Sequence, residues 1–267
     1  MAGRVAGKRA IVVGGGQTPG ATIGNGRATA VVLAREGARV CVVDKRLESA
    51  QDTVDMIKGE GGQAWALQAD ITSEDEVRRM IADALQQLGG LDILHNNVGA
   101  SLALGDATAT ELTVDAFDRS VNLNLKGMWL ACKHALPALR ERGGSIVNIS
   151  SMAARNAYPL VGYKTTKAAV VALTENLAAH NAQYGVRANA ILPGLMNTPM
   201  AIEARVAKGT PREEVIASRD RRVPLRRRMG TGWDVANAAL FLHSDEAGFI
   251  TGVALAVDGG EGVCWGS

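Results

Sequence analysis

The chain has 267 residues and a formal net charge of +2, with 47% of its residues hydrophobic and 21% charged. This composition is typical of a globular protein, and the near-neutral balance argues against nucleic acid or a membrane surface as the main partner. No apolar run approaches the roughly 20 residues that span a bilayer, and the N-terminus lacks the apolar core of a signal peptide.

The cysteines and histidines indicate neither a disulfide framework nor a metal site. Cys41, Cys132 and Cys264 are an odd number without a Cys-x-x-Cys pair, as expected of reduced thiols in the cytoplasm. The four histidines are scattered, with no spacing typical of metal ligands. His95, near the end of a predicted strand, is expected to be a buried structural residue rather than a catalytic one.

Seven short runs rich in β-forming residues alternate with longer segments that place apolar residues at helical spacing. The predicted strands are residues 9–13, 38–44, 63–70, 91–96, 144–150, 186–192 and 253–258. The predicted helices are residues 26–36, 46–58, 73–88, 115–140, 162–183 and 233–243. This alternation is typical of a doubly wound, Rossmann-type α/β fold, a seven-stranded parallel sheet with helices on both faces. Because no linker divides the chain, we expect a single domain over residues 1–267.

Glycines crowd the end of the first predicted strand, where the sequence reads IVVGGGQTPGATIGNGRA from Ile11 to Ala28. At this point in a doubly wound sheet, glycines let the backbone approach a pyrophosphate, and the N-terminus of the next helix favours its charge. A Walker-type NTP site is set aside, because no Gly-Lys-Ser or Gly-Lys-Thr occurs. The stretch predicts a dinucleotide site, with a simple turn as the alternative.

Two carboxylates follow at the ends of later strands. Asp44 ends the second strand, 18 residues after Gly26, where it can accept hydrogen bonds from both ribose hydroxyls. A carboxylate there repels a 2′-phosphate and so favours NAD over NADP. Lys45 and Arg46 follow at once and could reverse this preference, but solvated charges at the start of a helix are the simpler interpretation. Asp70 ends the third predicted strand.

The strongest chemical signal lies around the fifth strand and the following helix. Tyr163 and Lys167 are four residues apart, so on a helix they share one face. The pKa of an isolated tyrosine is about 10, and a nearby ammonium together with an oxidised nicotinamide would lower it. Ser150 and Ser151 end the strand and can donate a hydrogen bond to a substrate oxygen. The alternative is a Tyr and a Lys on the surface of an amphipathic helix.

Several motifs occur along the chain in an order that is itself informative. They are the glycine loop, Asp70, NNVG at 96–99, NLKG at 124–127, ISS at 149–151, YKTTK at 163–167, PGLMNTPM at 193–200 and ITG to VDGG at 250–260. From about residue 5 to residue 260, the chain thereby resembles the compact, single-domain branch of the short-chain dehydrogenase/reductase family. The resemblance implies a homotetramer or homodimer that interconverts a secondary alcohol and a ketone with NAD(H).

The resemblance also implies a role for each matching residue. Tyr163 would be the acid/base, and Lys167 would hold the nicotinamide ribose and lower the Tyr163 pKa. Ser151 would orient the substrate oxygen, with Tyr158 beside the substrate, and Asn124 would hold a water in a proton relay. The implied cofactor residues are Gly15, Gly24, Gly26, Asp44, Asp70, Ile71, Asn97, Gly99, Tyr163, Lys167, Pro193, Gly194 and Thr198.

Three departures from the family pattern stand out. Eight residues separate Gly15 from Gly24, an insertion of about five, and Gly14 replaces the usual Thr. The insertion either lies over the adenosine side and adds contacts to the cofactor, or is exposed and without effect. Ser151 precedes Tyr163 by 12 residues, one fewer than is common, which leaves Ser150 as an alternative. Val98 replaces the usual Ala, from which we expect only small local shifts.

Substrate selectivity in this architecture comes from loops at the carboxyl ends of the strands, here chiefly residues 199–228. The cations of that loop are expected to be solvated or subunit-contact charges, with carboxylate or phosphate binding as the alternative. Nearby apolar residues, Leu102, Leu104, Met152, Leu195, Met196 and Met200, predict a mostly apolar pocket. Two other functions stay open: an isomerase or dehydratase that uses NAD transiently, and a non-catalytic NAD-binding protein.

Overall fold

The computed structural model describes residues 3–263, and Cys264 lies outside this range. Seven strands form one parallel sheet in the order β3-β2-β1-β4-β5-β6-β7. The strands are β1 Arg9–Val13, β2 Arg39–Asp44, β3 Gln63–Gln68, β4 Ile93–Asn96, β5 Gly144–Ile149, β6 Val186–Pro193 and β7 Ala254–Val257. The predicted doubly wound fold is therefore confirmed, with its change of direction between β1 and β4.

Helices cover both faces of this sheet. They are α1 Asn25–Arg35, α2 Leu47–Gly59, α3 Glu74–Leu88, α4 Val114–Val121, α5 Gly127–Arg140, α6 Val161–Asn181, α7 Pro199–Val206, α8 Arg212–Asp220 and α9 Gly232–His243. The predicted helix 115–140 is in fact α4 and α5 joined by the π-helical segment Asn122–Lys126. Residues 199–228, expected to be a loop, contain α7 and α8.

Alternate residues of each central strand point to opposite layers of the core. Ile11 and Leu94 pack with α3 and α5, whereas Val12 and Ile93 pack with α1 and α9. Because both faces are covered, the strands read as continuous apolar runs rather than as alternating patterns. Within residues 3–263, no helix is long and apolar enough to cross a membrane.

His95 lies in this core, as expected of a structural residue. Its ring faces His243 of α9, whose Nε2 is 3.4 Å from His95 Nδ1 and whose Nδ1 is 2.8 Å from Ser145 Oγ. Complete burial lowers the pKa of His95 to about 3, so the imidazole is neutral. A neutral, buried side chain on the α9 side of the sheet has no access to the cleft described below.

Candidate active site

A cleft of about 460 Å³ opens at the carboxyl ends of the central strands, and a cavity of about 100 Å³ adjoins it. Clefts of this size at this position are the usual ligand sites of doubly wound sheets. Most predicted site residues line the cleft: Gly24, Gly26, Asp44, Asn97, Gly99, Ser151, Tyr158, Tyr163, Lys167, Pro193, Gly194 and Thr198. Asp70 and Ile71 line the smaller cavity. Gly15 and Asn124 line neither.

The two serines at the end of β5 point in different directions. Ser151 lines the cleft with Tyr163 and contributes to lowering the pKa of its phenol, and the Ser151 Oγ accepts a hydrogen bond from the backbone N–H of Ala153 at 3.1 Å. Ser150 is buried, and its Oγ donates to the backbone carbonyl of Lys167 at 2.6 Å. The hydroxyl of Ser150 is therefore used within the protein, whereas that of Ser151 is near the phenol of Tyr163. This holds although Ser151 precedes Tyr163 by only 12 residues.

Tyr163 is held in place by a residue that the sequence did not single out. No side chain at the start of α6 caps its N-terminus. The buried carboxylate of Asp106 does so from another part of the chain. It accepts hydrogen bonds from the N–H groups of Gly162 at 2.8 Å and Tyr163 at 2.7 Å. Because the contact joins residues more than 50 positions apart, no local motif could have predicted it.

The acidity of Tyr163 differs from the expectation. Burial raises the pKa of its phenol to about 12, while the nearby Ser151 lowers it and Tyr158 raises it further. The Tyr158 and Tyr163 ring centres are 5.7 Å apart. In the protein alone, desolvation thus outweighs every stabilising contact of the phenolate. Lys167 is not among the groups that shift this pKa in the protein alone, and the expected lowering beside an oxidised nicotinamide stays a prediction.

Lys167 is buried in the floor of the cleft. Its Nζ donates to the carbonyl of Ile149 at 2.8 Å and lies 5.7 Å from the centre of the Tyr163 ring. Burial lowers its pKa to about 8, which leaves the ammonium mostly charged at neutral pH. A Cβ atom on Gly99 would lie 2.7 Å from this Nζ, so only glycine leaves room for the lysine there.

Asn124 lies in the π-helical segment, behind the cleft wall. Its Oδ1 accepts from the N–H of Ala100 at 2.9 Å, and its Nδ2 donates to the carbonyl of Ala100 at 2.9 Å. The side chain therefore fixes the loop that follows β4. A Cβ atom on Gly99 would lie 3.4 Å from Asn124 Oδ1 and 2.7 Å from Lys167 Nζ, so the amide lies close to the lysine, and its implied role in a proton relay stays a prediction. π-Helical turns often occur at functional sites.

The glycine loop brings the N-terminus of α1 to the cleft. A side chain on Gly26 would collide with the carbonyl oxygen of Gly14, which also accepts a hydrogen bond from Asn97 Nδ2 at 3.0 Å. Gly14 has a φ of +78°, and a Cβ atom there would lie 2.8 Å from Val98 Cγ2. The two family departures at residues 14 and 98 thus fit one another, since the larger Val98 fills the space above a glycine.

Gly15, which the resemblance implied as a cofactor residue, does not line the cleft. It is buried against β2, where a Cβ atom would lie 2.7 Å from Val42 Cγ1. Its neighbours Gly14 and Gly16 line the cleft instead. The reason is that the backbone alternates direction as β1 ends, so the middle of three glycines turns toward the sheet.

The inserted residues after Gly16 cross the mouth of the cleft. Gln17 Oε1 accepts from the N–H of Gly24 at 2.9 Å, and the backbone N–H of Gln17 donates to Ser49 Oγ on α2 at 2.8 Å. At the other end, a Cβ atom on Gly20 would lie 2.9 Å from Pro199 Cβ on α7. The insertion therefore runs from the end of the cleft beside α2 to the end beside α7.

The two predicted carboxylates lie close together, since Asp44 lines both the cleft and the smaller cavity and Asp70 lines the smaller cavity. The backbone N–H of Arg46 donates to Asp44 Oδ1 at 3.1 Å, and its guanidinium donates to the carbonyl of Gln17 at 2.5 Å. Lys45 pairs with Asp70 at 2.6 Å beside the smaller cavity, and this ammonium contributes to the lowered pKa of that carboxyl. Lys45 and Arg46 are exposed, as expected of solvated charges, and each also contacts a partner at the site.

The opposite end of the cleft is formed by the segment after β6. Met152, Leu195, Met196, Met200 and Leu102 line it as predicted, whereas Leu104 does not. Three of the loop cations also line this end: Arg205, Arg219 and Arg222. The expectation that the loop charges are only solvated or subunit contacts is wrong for Arg219, which is 8% exposed.

A Rossmann-type sheet whose cleft brings a serine, a tyrosine and a buried lysine together defines the class of protein, a nucleotide-dependent oxidoreductase. A family model described as enoyl-(acyl carrier protein) reductase matches residues 20–261. The chain belongs to the short-chain dehydrogenase/reductase family.

Proteins similar over their whole length agree with this assignment. An uncharacterized oxidoreductase of Bacillus subtilis, YxbG, is 35% identical over 97% of this chain and 92% of its own length. The 2,5-dichloro-2,5-cyclohexadiene-1,4-diol dehydrogenase LinX of Sphingobium indicum is 37% identical over 97% of this chain and 98% of its own. A crystal structure described as a short-chain dehydrogenase/reductase from Burkholderia xenovorans is 38% identical, covers 99% of this chain and 100% of its own, and has a TM-score of 0.94.

Proposed function

We propose that the protein is an NAD(H)-dependent oxidoreductase that interconverts a secondary alcohol and a ketone. The single observation that carries this proposal is the convergence of Ser151, Tyr163 and Lys167 at one wall of the cleft. A hydroxyl pair beside an ammonium provides both a hydrogen-bond donor for a substrate oxygen and a route for its proton.

The adenosine half of the cleft fits a dinucleotide. Gly24, Asn25 and Gly26 line it at the start of α1, which has no side-chain cap, so the free N–H groups can bind a pyrophosphate. The smaller cavity, lined by Asp70 and Ile71, lies at the carboxyl ends of β1, β2 and β3. Its position suits an adenine ring, with Asp44 at the junction for the ribose.

The proposed proton transfer uses groups whose states follow from the structure. When bound, the nicotinamide accepts or supplies a hydride at the substrate carbon. Ser151 holds the substrate oxygen toward Tyr163, and Tyr163 takes up or releases the hydroxyl proton. Since burial raises the pKa of Tyr163 to about 12, this step needs the positive charge of both Lys167 and the oxidised cofactor. The neutral phenol is in turn well suited to donate a proton in ketone reduction.

The surroundings of Asp44 support NAD as the cofactor. Its carboxylate lines the cleft, where it would accept hydrogen bonds from a ribose and repel a 2′-phosphate. Each of the two neighbouring cations that could offset its charge has a contact of its own. Lys45 is paired with Asp70, and Arg46 donates to the carbonyl of Gln17.

We also propose that the protein is a homodimer or homotetramer. Apolar side chains are exposed on α4 and α5, namely Val114, Phe117 and Trp129, and near β7, namely Phe249 and Val253. Exposed apolar residues grouped in this way are typical of association surfaces. Light scattering of the purified protein would measure the assembly, and a monomer at micromolar concentration would contradict this part of the proposal.

The function is tested by NADH absorbance during incubation with a panel of secondary alcohols. Net NADH formation is the expected result. Product without net NADH would indicate an isomerase or dehydratase that uses NAD transiently. Bound NAD without any turnover across the panel would indicate a non-catalytic NAD-binding protein, and either outcome would overturn the proposal.

A further inference from the structure

Arg219 of α8 is buried at the substrate end of the cleft without a carboxylate partner among residues 3–263. Its Nε lies 3.3 Å from Met229 Sδ, and its Nη2 lies 3.4 Å from the carbonyl of Met196. A thioether is a weak acceptor, and 3.4 Å is long for a charge-assisted hydrogen bond. These two contacts offset little of the cost of removing a guanidinium from water.

The neighbours of Arg219 add to the positive charge. Arg205 and Arg222 line the same end of the cleft, and Glu261 is the acidic side chain that lines it with them. Glu261 lies 3.4 Å from Arg222, so it is shared with a guanidinium already. Burial, Arg205 and Arg222 all lower the pKa of Arg219, to about 10. Three guanidiniums against one carboxylate leave a surplus of two positive charges.

The other acids of the segment are engaged elsewhere. Glu203 is paired with Arg212 of α8 at 2.7 Å and does not line the cleft. Asp220 accepts a hydrogen bond from the N–H of Met229 at 2.8 Å. Asp258 accepts from backbone N–H groups in the turn after β7. None of these carboxylates supplies the missing partner of Arg219.

The cationic end of the cleft is continuous with the catalytic wall. Tyr158 lines the cleft, its ring centre is 5.7 Å from that of Tyr163, and it raises the pKa of Arg219. Arg219, Tyr158 and Tyr163 therefore line one continuous cleft. A substrate that places its reacting carbon at Tyr163 would extend its remaining part past Tyr158 toward the guanidiniums.

We propose that the substrate carries an anionic group, a carboxylate, phosphate or sulfonate, which Arg219 binds with the help of Arg205 and Arg222. This inference rests on the proposed function and specifies its substrate class as anionic hydroxy and oxo compounds. Arginine suits this task because its planar fork matches the oxygens of such groups. An arginine that served only to pack α8 would be replaceable by an apolar side chain of similar length.

The test measures binding separately from turnover. Acetoacetate and laevulinate are each titrated calorimetrically beside their methyl esters, and hydroxyacetone phosphate beside hydroxyacetone, into protein saturated with NAD. At least one anion should bind about ten to a hundred times more tightly than its neutral counterpart, the range for a charge-assisted hydrogen bond. The Arg219→Met variant should abolish that preference, and Arg219→Lys should restore part of it. Equal binding of every pair, or a preference that survives in Arg219→Met, would overturn the proposal.

Matched controls separate a lost anion site from a damaged fold. Arg228→Met removes an exposed cation of the same segment and should leave the preference unchanged. Melting temperature and NAD affinity should be the same in Arg219→Met as in the unmodified chain. If that variant does not fold, Arg205→Gln and Arg222→Gln are measured in its place. Each should weaken anion binding several-fold. Anion binding that stays unchanged in both would overturn the proposal.

A measurement of turnover with the same probes tests the anion site and the proposed function separately. NADH oxidation is followed with each pair of probes. Neutral ketones that are bound and reduced as well as the anions would overturn the anion site and leave the oxidoreductase intact. Anion-selective binding without any NADH oxidation would uphold the anion site and count against the proposed function.

Discussion

The adenosine end of the cleft is formed by strand ends and short turns, whereas the substrate end is formed by helices that lie off the sheet. At the adenosine end, Asn97 binds the carbonyl of Gly14, and Gly26 fits against that same carbonyl. At the substrate end, α7 and α8 have a small core of their own around Ile202 and Val215. The adenosine end therefore consists of the sheet itself. The substrate end has a separate core, so we expect that its residues can change without disturbing the sheet.

This difference between the two ends predicts that catalysis and substrate selectivity depend on different parts of the chain. Ser151, Tyr163 and Lys167 are attached to β5 and α6, which the sheet and Asp106 hold in place. Arg219 lies in α8, which packs mainly against α7 and has few contacts with the sheet. We therefore expect changes near β5 and α6 to alter the rate for every substrate, and changes in α8 to alter the choice among substrates.

The largest effect is expected from Tyr163→Phe. Removing the hydroxyl should lower kcat by about a thousandfold for every substrate, within the range of general acid–base catalysis. NAD affinity should change little, because the ring remains. Steady-state kinetics and NAD titration measure both quantities. Tyr184→Phe, an exposed tyrosine outside the cleft, is the matched control. Retained turnover in Tyr163→Phe would remove Tyr163 from proton transfer.

The next effect separates the two serines. Ser151→Ala should lower kcat by about ten to a hundredfold, because the substrate oxygen loses a donor in the transition state. Ser150→Ala should leave kcat nearly unchanged but reduce the free energy of unfolding by about 1 kcal/mol, as its hydrogen bond to Lys167 is lost. Kinetics and urea unfolding of both variants test this. A larger loss of kcat in Ser150→Ala would reverse the assignment.

A smaller effect is expected from Asp44→Ala. Loss of the carboxylate should raise the NADP to NAD ratio of kcat/KM about tenfold, since a repulsion of roughly 1–2 kcal/mol is removed. Asp55→Ala removes an exposed charge of α2 outside the cleft and should leave the ratio unchanged. An unchanged ratio in Asp44→Ala would assign cofactor choice to Lys45, Arg46 or the inserted loop.

The smallest effect is expected from deletion of residues 17–21, which connect the two ends of the cleft. NAD affinity should fall about three to tenfold, because hydrogen bonds to Gly24 and Ser49 are lost. The substrate KM should rise as well, since the tip no longer contacts α7. Thr18→Ala keeps the backbone and should stay near the unmodified values. If the deletion changes neither NAD affinity nor KM, the insertion is an exposed loop without effect.

The sequence predicted what local patterns encode. Apolar runs located all seven strands, and the four-residue spacing placed Tyr163 and Lys167 on one side of α6. Helices α7 and α8 escaped prediction because many charges obscure their apolar periodicity. The carboxylate of Asp106 escaped because its partners are distant in the chain. The orientation of Gly15 and the tip of the insertion depend on tertiary contacts that no motif records.

The central claim is that this fold prepares the Tyr163 phenol to exchange a proton once a dinucleotide is bound. Ultraviolet difference titration of tyrosinate measures this directly, with Tyr163→Phe as the blank for the chain's other two tyrosines. We predict a Tyr163 pKa near 12 in the free protein and well below the ordinary value of about 10 with NAD bound. A Tyr163 signal that does not move when NAD binds would contradict the account.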